Sequence, residues 1–171
     1  MSKMLIITLK EANGKPISGA VLTVNLNGTK KYKTNKNGQV KIQVGALVPN
    51  TYNAKITFAG SKKYKKSTAS VKITVHKATP KISANTVKIN GKTKQFKVQF
   101  LTGHMKYHAL KNKKVTLTVN GKTYTVKTNS QGQAIFNIST LKKGKYTAIL
   151  TVPANNCYNK VTKTVIINVK K

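Results

Sequence analysis

The stretch Tyr32-Lys33-Thr34-Asn35-Lys36-Asn37-Gly38-Gln39 returns further along as Val126-Lys127-Thr128-Asn129-Ser130-Gln131-Gly132-Gln133. The match continues downstream. Leu47, Tyr52, Ala54, Thr57 and Tyr64 fall on Leu141, Tyr146, Ala148, Thr151 and Tyr158. Val71, Ile73 and Val75 fall on Val165, Ile167 and Val169. The register runs without a gap from Tyr32 to Val75, and roughly a third of that span is identical, so the chain is a tandem repeat. Upstream, Asn27-Gly28 meets Asn120-Gly121 only after a one-residue shift, which places the shift in a short hairpin.

Each repeat alternates apolar and polar residues with period two. Leu22, Val24 and Leu26 alternate with Thr23 and Asn25; Val40, Ile42 and Val44 alternate with Lys41 and Gln43. Tyr52, Ala54, Ile56 and Phe58 form a third run, and Val71, Ile73 and Val75 a fourth. The second repeat carries the same faces in Val115–Val119, Ala134–Ile138 and Tyr146–Val152. Such alternation gives each strand one buried and one wet face. No stretch keeps a 3.6-residue period, so helix is not expected. Asn-Gly pairs supply the positive φ that two-residue hairpins need, and Asn37-Gly38 and Gln131-Gly132 close the next turns. Many short strands with regular turns predict β-sandwiches.

The boundary falls near His76-Lys77-Ala78-Thr79-Pro80, because Pro80 cannot donate to a ladder. The expected domains are 1–76 and 77–171. Lys81–Asn90, with Ile82, Val87 and Ile89, reads as a leading strand region in the second repeat. The first begins directly at Met4–Leu9, which aligns with Lys97–Thr102, and so lacks that strand. Removal of preceding residues from a longer protein accounts for this; an exposed sheet edge that pairs with another chain is the alternative.

Composition narrows the function. The 171 residues hold 33 lysines and one acid, Glu11, with no arginine or aspartate, for a net charge of +32. The apolar fraction of 39% suits a folded chain. No run approaches the roughly 18 apolar residues of a membrane span, and Met1–Ile7 is too short for a signal peptide. With Cys157 as sole cysteine, neither an internal disulfide nor a cysteine metal cluster can form, and no motif marks it as reactive.

The order Gly14-Lys15-Pro16-Ile17-Ser18-Gly19-Ala20, Asn27-Gly28, Thr34–Gln39, Asn50-Thr51-Tyr52 and Gly60–Tyr64 resembles the immunoglobulin-like repeats of adhesin-like surface proteins of methanogenic archaea. In the second repeat the first motif has become His108-Ala109-Leu110-Lys111-Asn112-Lys113. Bacterial immunoglobulin-like stalk domains are a looser match. The resemblance implies an all-β chain of two tandem immunoglobulin-like β-sandwich domains. It also implies an extracellular, cell-surface setting, the chain being a fragment of a larger exported protein with similar repeats as neighbours. Family members often carry aspartate in the turns where this chain has asparagine.

Few residues offer chemistry. The Thr34–Gly38 turn suggests a calcium loop, but calcium needs carboxylate oxygens, so a structural turn is expected. His104 and His108 stand four apart in an inter-strand loop with no third zinc ligand apparent. A Lys–Asn isopeptide bond needs a buried acid, and Glu11 lies in a turn. A Ser-His-Asp triad cannot be completed without aspartate, and nothing nominates Cys157 as a nucleophile. No enzyme activity, cofactor or metal is expected. Tyr52 and Tyr146 occupy tyrosine-corner positions, where the hydroxyl bonds upstream backbone, and Tyr64 and Tyr158 are expected to cap the same end of each sandwich.

Lysine remains as the functional group. The candidate clusters for polyanion binding are Lys30, Lys31 and Lys33; Lys62, Lys63, Lys65 and Lys66; Lys111, Lys113 and Lys114; and Lys142, Lys143 and Lys145. A surface of one sign attracts polyanions by counterion release. The expected role is a stalk segment that spaces and adheres to anionic cell-wall or cell-surface polymers. Alternatives are a non-specific polyanion-binding protein or a fibre subunit assembled by strand complementation. Without arginine or an aromatic platform, nucleic acid would be bound only non-specifically. Membrane insertion is not expected, and the sequence leaves the oligomeric state open.

Overall fold

Alternating β-branched runs bounded by Asn-Gly and Thr-Asn turns become strands throughout. The structure, a computed structural model, describes residues 3–90, 94–103 and 107–170, and no helix occurs among them. Its contacts gather into two units, one ending at His76 and the other beginning at Lys77.

The first unit contains β1 (Met4–Thr8), β2 (Val21–Asn25), β3 (Thr29–Lys33), β4 (Gln39–Gln43), β5 (Asn50–Phe58) and β6 (Ser67–Val75). β1 and β4 form one sheet, and β3-β2-β5-β6 form the other. Leu22, Val24, Val40, Ile42, Ala54, Ile56 and Phe58 are buried between them.

The second unit contains β7 (Lys81–Ser83), β8 (Val87–Ile89), β9 (Gln95–Thr102), β10 (His108–Ala109), β11 (Lys114–Val119) and β12 (Lys122–Lys127). β13 (Gln133–Asn137), β14 (Gly144–Val152) and β15 (Val161–Val169) complete it. β9 pairs with β7, β10 and β13; the facing sheet runs β12-β11-β14-β15-β8. The leading segment thus divides between sheets, antiparallel to β9 as β7 and parallel to β15 as β8. This is an immunoglobulin-like topology. Phe96, Phe100, Phe136, Leu117, Leu150 and Ile167 fill its core.

Two details depart from the sequence reading. Leu9 N–H donates to Gly38 O at 2.8 Å, and Phe100 N–H donates to Gly132 O at 2.8 Å. Ile17 N–H reaches Leu9 O as Leu110 N–H reaches Phe100 O, both at 3.0 Å. The twin of Met4–Leu9 is therefore Gln95–Phe100, not Lys97–Thr102. A two-residue slip leaves every side chain on its own face, so alternation does not detect it. The difference lies in the loop before β11, which is two residues longer than the loop before β2. The hairpins also differ. Asn120-Gly121 is a two-residue turn between paired Val119 and Lys122. Between paired Asn25 and Thr29 the loop is three residues, Leu26-Asn27-Gly28. Both asparagines take positive φ, 50° and 49°.

The tyrosine corners are present. Tyr52 donates its hydroxyl proton to Val48 O at 2.9 Å, and Tyr146 donates to Lys142 O at 3.0 Å. A second repeated device was not legible as such. Buried Thr34 donates to Ile17 O at 2.8 Å and accepts from Ala20 N–H at 2.9 Å. Buried Thr128 does the same between Leu110 O and Lys113 N–H. Thr34 pins the loop before β2 to the turn after β3, and Thr128 pins the loop before β11 to the turn after β12.

Candidate polyanion-binding surface

Strand alternation turns most lysines to solvent, because burying an unpaired ammonium is costly. All thirteen candidate lysines are exposed. Lys30, Lys31 and Lys33 lie on edge strand β3. Lys62, Lys63, Lys65 and Lys66 lie in the β5–β6 connection, Lys111 and Lys113 in the β10–β11 connection, and Lys142 and Lys143 in the β13–β14 connection. Lys114 opens β11 and Lys145 lies in β14.

The fold gathers some of these and separates others. Lys114 pairs directly with Lys127 across the β11–β12 ladder, so that end of the second unit concentrates like charge. Lys142, Lys143 and Lys145 stand at the opposite end, beside the Asn120-Gly121 hairpin. These two candidate clusters do not form one site.

The most closely knit group is at the loop end of the first unit. Tyr64 donates its hydroxyl proton to Glu11 Oε1 at 2.8 Å, tying the β1–β2 loop to the β5–β6 loop. Asn13 Nδ2 donates to Glu11 Oε2 at 3.3 Å. Lys63 Nζ lies 5.2 Å from the centre of the Tyr64 ring, within cation–π range. The Tyr64 hydrogen bond outweighs desolvation, the next largest influence, and with Asn13, Lys63 and Lys15 holds the Glu11 carboxyl below its ordinary value. The Tyr64 hydroxyl, and then the charge of Glu11, raise the Lys63 ammonium above its ordinary value. Lys15 thereby joins Lys63 around one carboxylate, although the two are far apart in sequence. A shallow cavity of about 470 Å³ adjoins this group, lined by Ile17, Ser18, Lys31, Phe58, Ser61 and Tyr64 among others. Glu11 is at the surface, which does not supply the buried acid an isopeptide bond requires.

A second concavity in the other unit escaped the sequence reading, which followed lysine runs. It holds about 400 Å³ and is lined in part by Lys81, Ile82, Tyr107, Thr162 and Lys163. Lys81 Nζ lies 5.2 Å from the Tyr107 ring centre, and Lys163 Nζ lies 3.4 Å from Ile82 O. These lysines are isolated in sequence and meet only because β7 passes β15.

Lysine is absent from the middle of one large face. Cross-strand pairing aligns Thr125, Thr116, Thr151 and Thr162 in one row across β12, β11, β14 and β15. The next row is Thr123, Thr118, Ile149 and Thr164. The Thr118 and Thr123 hydroxyls are 2.9 Å apart and hydrogen-bonded. Charge therefore borders this sheet through Lys114, Lys127 and Lys145 while threonine occupies its centre.

The turn that invited a calcium reading has another use for its oxygen. Asn35 Oδ1 accepts from Asn37 N–H at 2.9 Å and Gln39 N–H at 3.0 Å. Asn129 repeats both bonds with Gln131 and Gln133. Among the described residues no group of three or more His, Cys, Asp or Glu is placed to hold a metal. His108 is an exposed residue of β10, and His104 lies outside the described residues. Cys157 is an exposed free thiol.

No family model and no curated protein matches the chain. Solved structures give loose overlaps. Fibronectin(III)-like modules of Clostridium thermocellum CbhA overlap with a TM-score of 0.37 at 16% identity, covering 99% of this chain and 86% of theirs. The D0-D1 domain of intimin overlaps with a TM-score of 0.34 at 20% identity, covering 96% and 89%. A Ca2+-stabilized adhesin described as helping an Antarctic bacterium bind ice overlaps with a TM-score of 0.32 at 17% identity, covering 98% and 44%. Overlaps this loose bear on neither the activity nor the partner of this chain.

Proposed function

We propose that the chain is a segment of an extracellular adhesin or stalk of the archaeal surface-repeat type. Its immunoglobulin-like units space the parent protein away from a cell, and their lysines adhere to anionic wall or surface polymers. The observation that carries this reading is the one-sided charge: 33 lysines against a single carboxylate that is already bonded to Tyr64. Glu11, the one acidic side chain, neighbours Lys63 in the Lys62–Lys66 cluster, whereas the cluster at Lys111–Lys114 has no acidic side chain in its own unit to compete with an external anion. In the second unit those clusters sit at ends and borders, so a polymer would contact loops and edges rather than the threonine-rich face. Neighbouring repeats of the parent are the other proposed partners. Among the described residues no helix is long and apolar enough to cross a membrane.

The test is binding to a panel of anionic wall polymers, linear polyphosphate and duplex DNA at low and physiological salt. Retained selectivity for one polymer at about 0.15 M salt, where the Debye length is about 8 Å, supports a shaped adhesive surface. Replacing Lys62, Lys63, Lys65 and Lys66 with Gln should lower the salt slope for polyphosphate by roughly three to four, about one per contact. Equal binding to every polyanion, abolished by salt, favours the non-specific reading and leaves spacing as the role.

A further inference from the structure

The two units differ most where a leading strand passes. In the second unit, Ile82 of β7 sits opposite Phe100 of β9, and Ile89 of β8 sits opposite Val169 of β15. Each isoleucine is 5% exposed. Their segment closes the flank between the sheets. Its entry is clasped by the β14–β15 loop, where Ala78 N–H donates to Cys157 O at 2.9 Å and Ala78 O accepts from Asn159 N–H at 3.0 Å.

Among the described residues of the first unit nothing corresponds to β7 or β8. β1 pairs only with β4, and β6 ends its sheet, so both strands present a free edge on the same flank. The side chains beneath are correspondingly open. Val71 is 37% exposed, against 5% for its twin Val165. Leu5, Ile7, Leu9, Ile73 and Val75 are half-buried, whereas their twins Phe96, Val98, Phe100, Ile167 and Val169 are buried. A cavity of about 110 Å³ opens there, lined by Ile7, Leu9, Leu22, Ile56, Phe58 and Ala69 among others. The loop residues of that clasp have counterparts, since Lys63 and Lys65 are the twins of Cys157 and Asn159.

We propose that this flank is a strand-acceptor groove for an extended segment of the Ala78–Ile89 kind, presented by a neighbouring repeat. The chemistry of the occupant is read from the filled twin. One apolar residue enters beside Leu9, as Ile82 does beside Phe100. A second, seven positions on, packs beside Val75, as Ile89 does beside Val169. The residues between are small or polar, and backbone hydrogen bonds to β1 and then β6 supply register. The donor is not a second folded copy of this chain. That copy's own segment is already buried, and handing it over would open the groove it fills.

Charge does not drive this docking, since host and segment are both basic. It therefore responds to salt in the opposite sense from polyanion adhesion. The test is titration of the whole chain with a peptide of sequence Lys77–Asn90, followed by amide exchange at 0.15 M and 0.5 M salt. Exchange at Thr8–Lys10 and at Ile73–Val75, the twins of the positions that β7 and β8 pair with, should slow at least tenfold, undiminished at the higher salt. The same peptide carrying Ile82→Asn and Ile89→Asn should give no protection. Absence of protection at millimolar peptide overturns the proposal, as does equal protection by both peptides. Protection that grows with protein concentration alone overturns the assigned donor, because a second copy then covers the flank.

Discussion

Replacing Thr128 with Val keeps the shape of a buried side chain and removes one hydroxyl that is only 3% exposed as a residue. Two backbone groups lose their partner: Lys113 N–H, which donates to it at 3.0 Å, and Leu110 C=O, which accepts from it. Each orphaned group costs about 1–3 kcal/mol. Solvent near exposed Lys113 recovers part of this, so the expected total is about 2–4 kcal/mol, a large share of the roughly 5–15 kcal/mol typical of a domain. Thr34→Val removes the twin bonds to Ala20 N–H and Ile17 O and should cost the first unit a similar amount. Thr116→Val, on the solvent face of β11, is the control and should change stability by no more than about 0.5 kcal/mol. A two-unit chain need not unfold in one step, so the assay is urea denaturation followed by amide signals assigned to each unit. With a urea slope of about 1–3 kcal/mol/M, the Thr128→Val midpoint for the second unit should fall by roughly 1–3 M. The first unit's midpoint should stay in place. A fall no larger than that of Thr116→Val would refute the view that this hydroxyl locks the loop to the turn.

Four further outcomes follow from the geometry. Gly132 has φ of +76°, and a Cβ there would lie 2.5 Å from Phe100 O and 2.9 Å from Leu110 N, so Gly132→Ala should destabilise the second unit by more than about 2 kcal/mol in the same urea assay. Because Glu11 is held below its ordinary value, its bond to Tyr64 contributes fully above about pH 4.3 and is lost as pH falls through the lowered folded value. Glu11→Gln should therefore flatten the acid limb of the first unit's stability, measured by melting between pH 2 and 6, and leave the second unit unchanged. Tyr146→Phe should cost about 0.5–1.5 kcal/mol through the lost bond to Lys142 O, with Tyr52→Phe costing the same in its own unit. Native-state exchange should find the Ile73–Val75 amides of β6 less protected than those of Ile167–Val169 in β15, since only the latter pair with a strand such as β8; equal protection would contradict that account.

Much of the fold was legible because strand alternation, Asn-Gly turns and a repeat are local properties. The Tyr52–Val48 and Tyr146–Lys142 bonds each span four residues, so position along the chain sufficed to expect them. The candidate site was legible only as composition. Lysine runs could be counted, but no local rule joins Lys15 to Lys63, brings Lys81 near Lys163, or parts Lys114 from Lys145. The threonine rows were hidden for the same reason, since a row contains one residue from each of four strands.

The sequence by itself determined the β class, the repeat, the turns that punctuate it and the sign of the surface charge. Each depends on neighbours within a few residues or on a sum over the chain. Only the tertiary structure decided the register of β1, because a two-residue slip preserves the faces that sequence displays. It alone assigned Thr34 and Thr128 their locking bonds, which close across loops of more than a dozen residues. It alone showed what the leading strand does. Ile82 and Ile89 are two ordinary apolar residues in the sequence; in the fold they cover a flank between two sheets, and the first unit presents the same flank open.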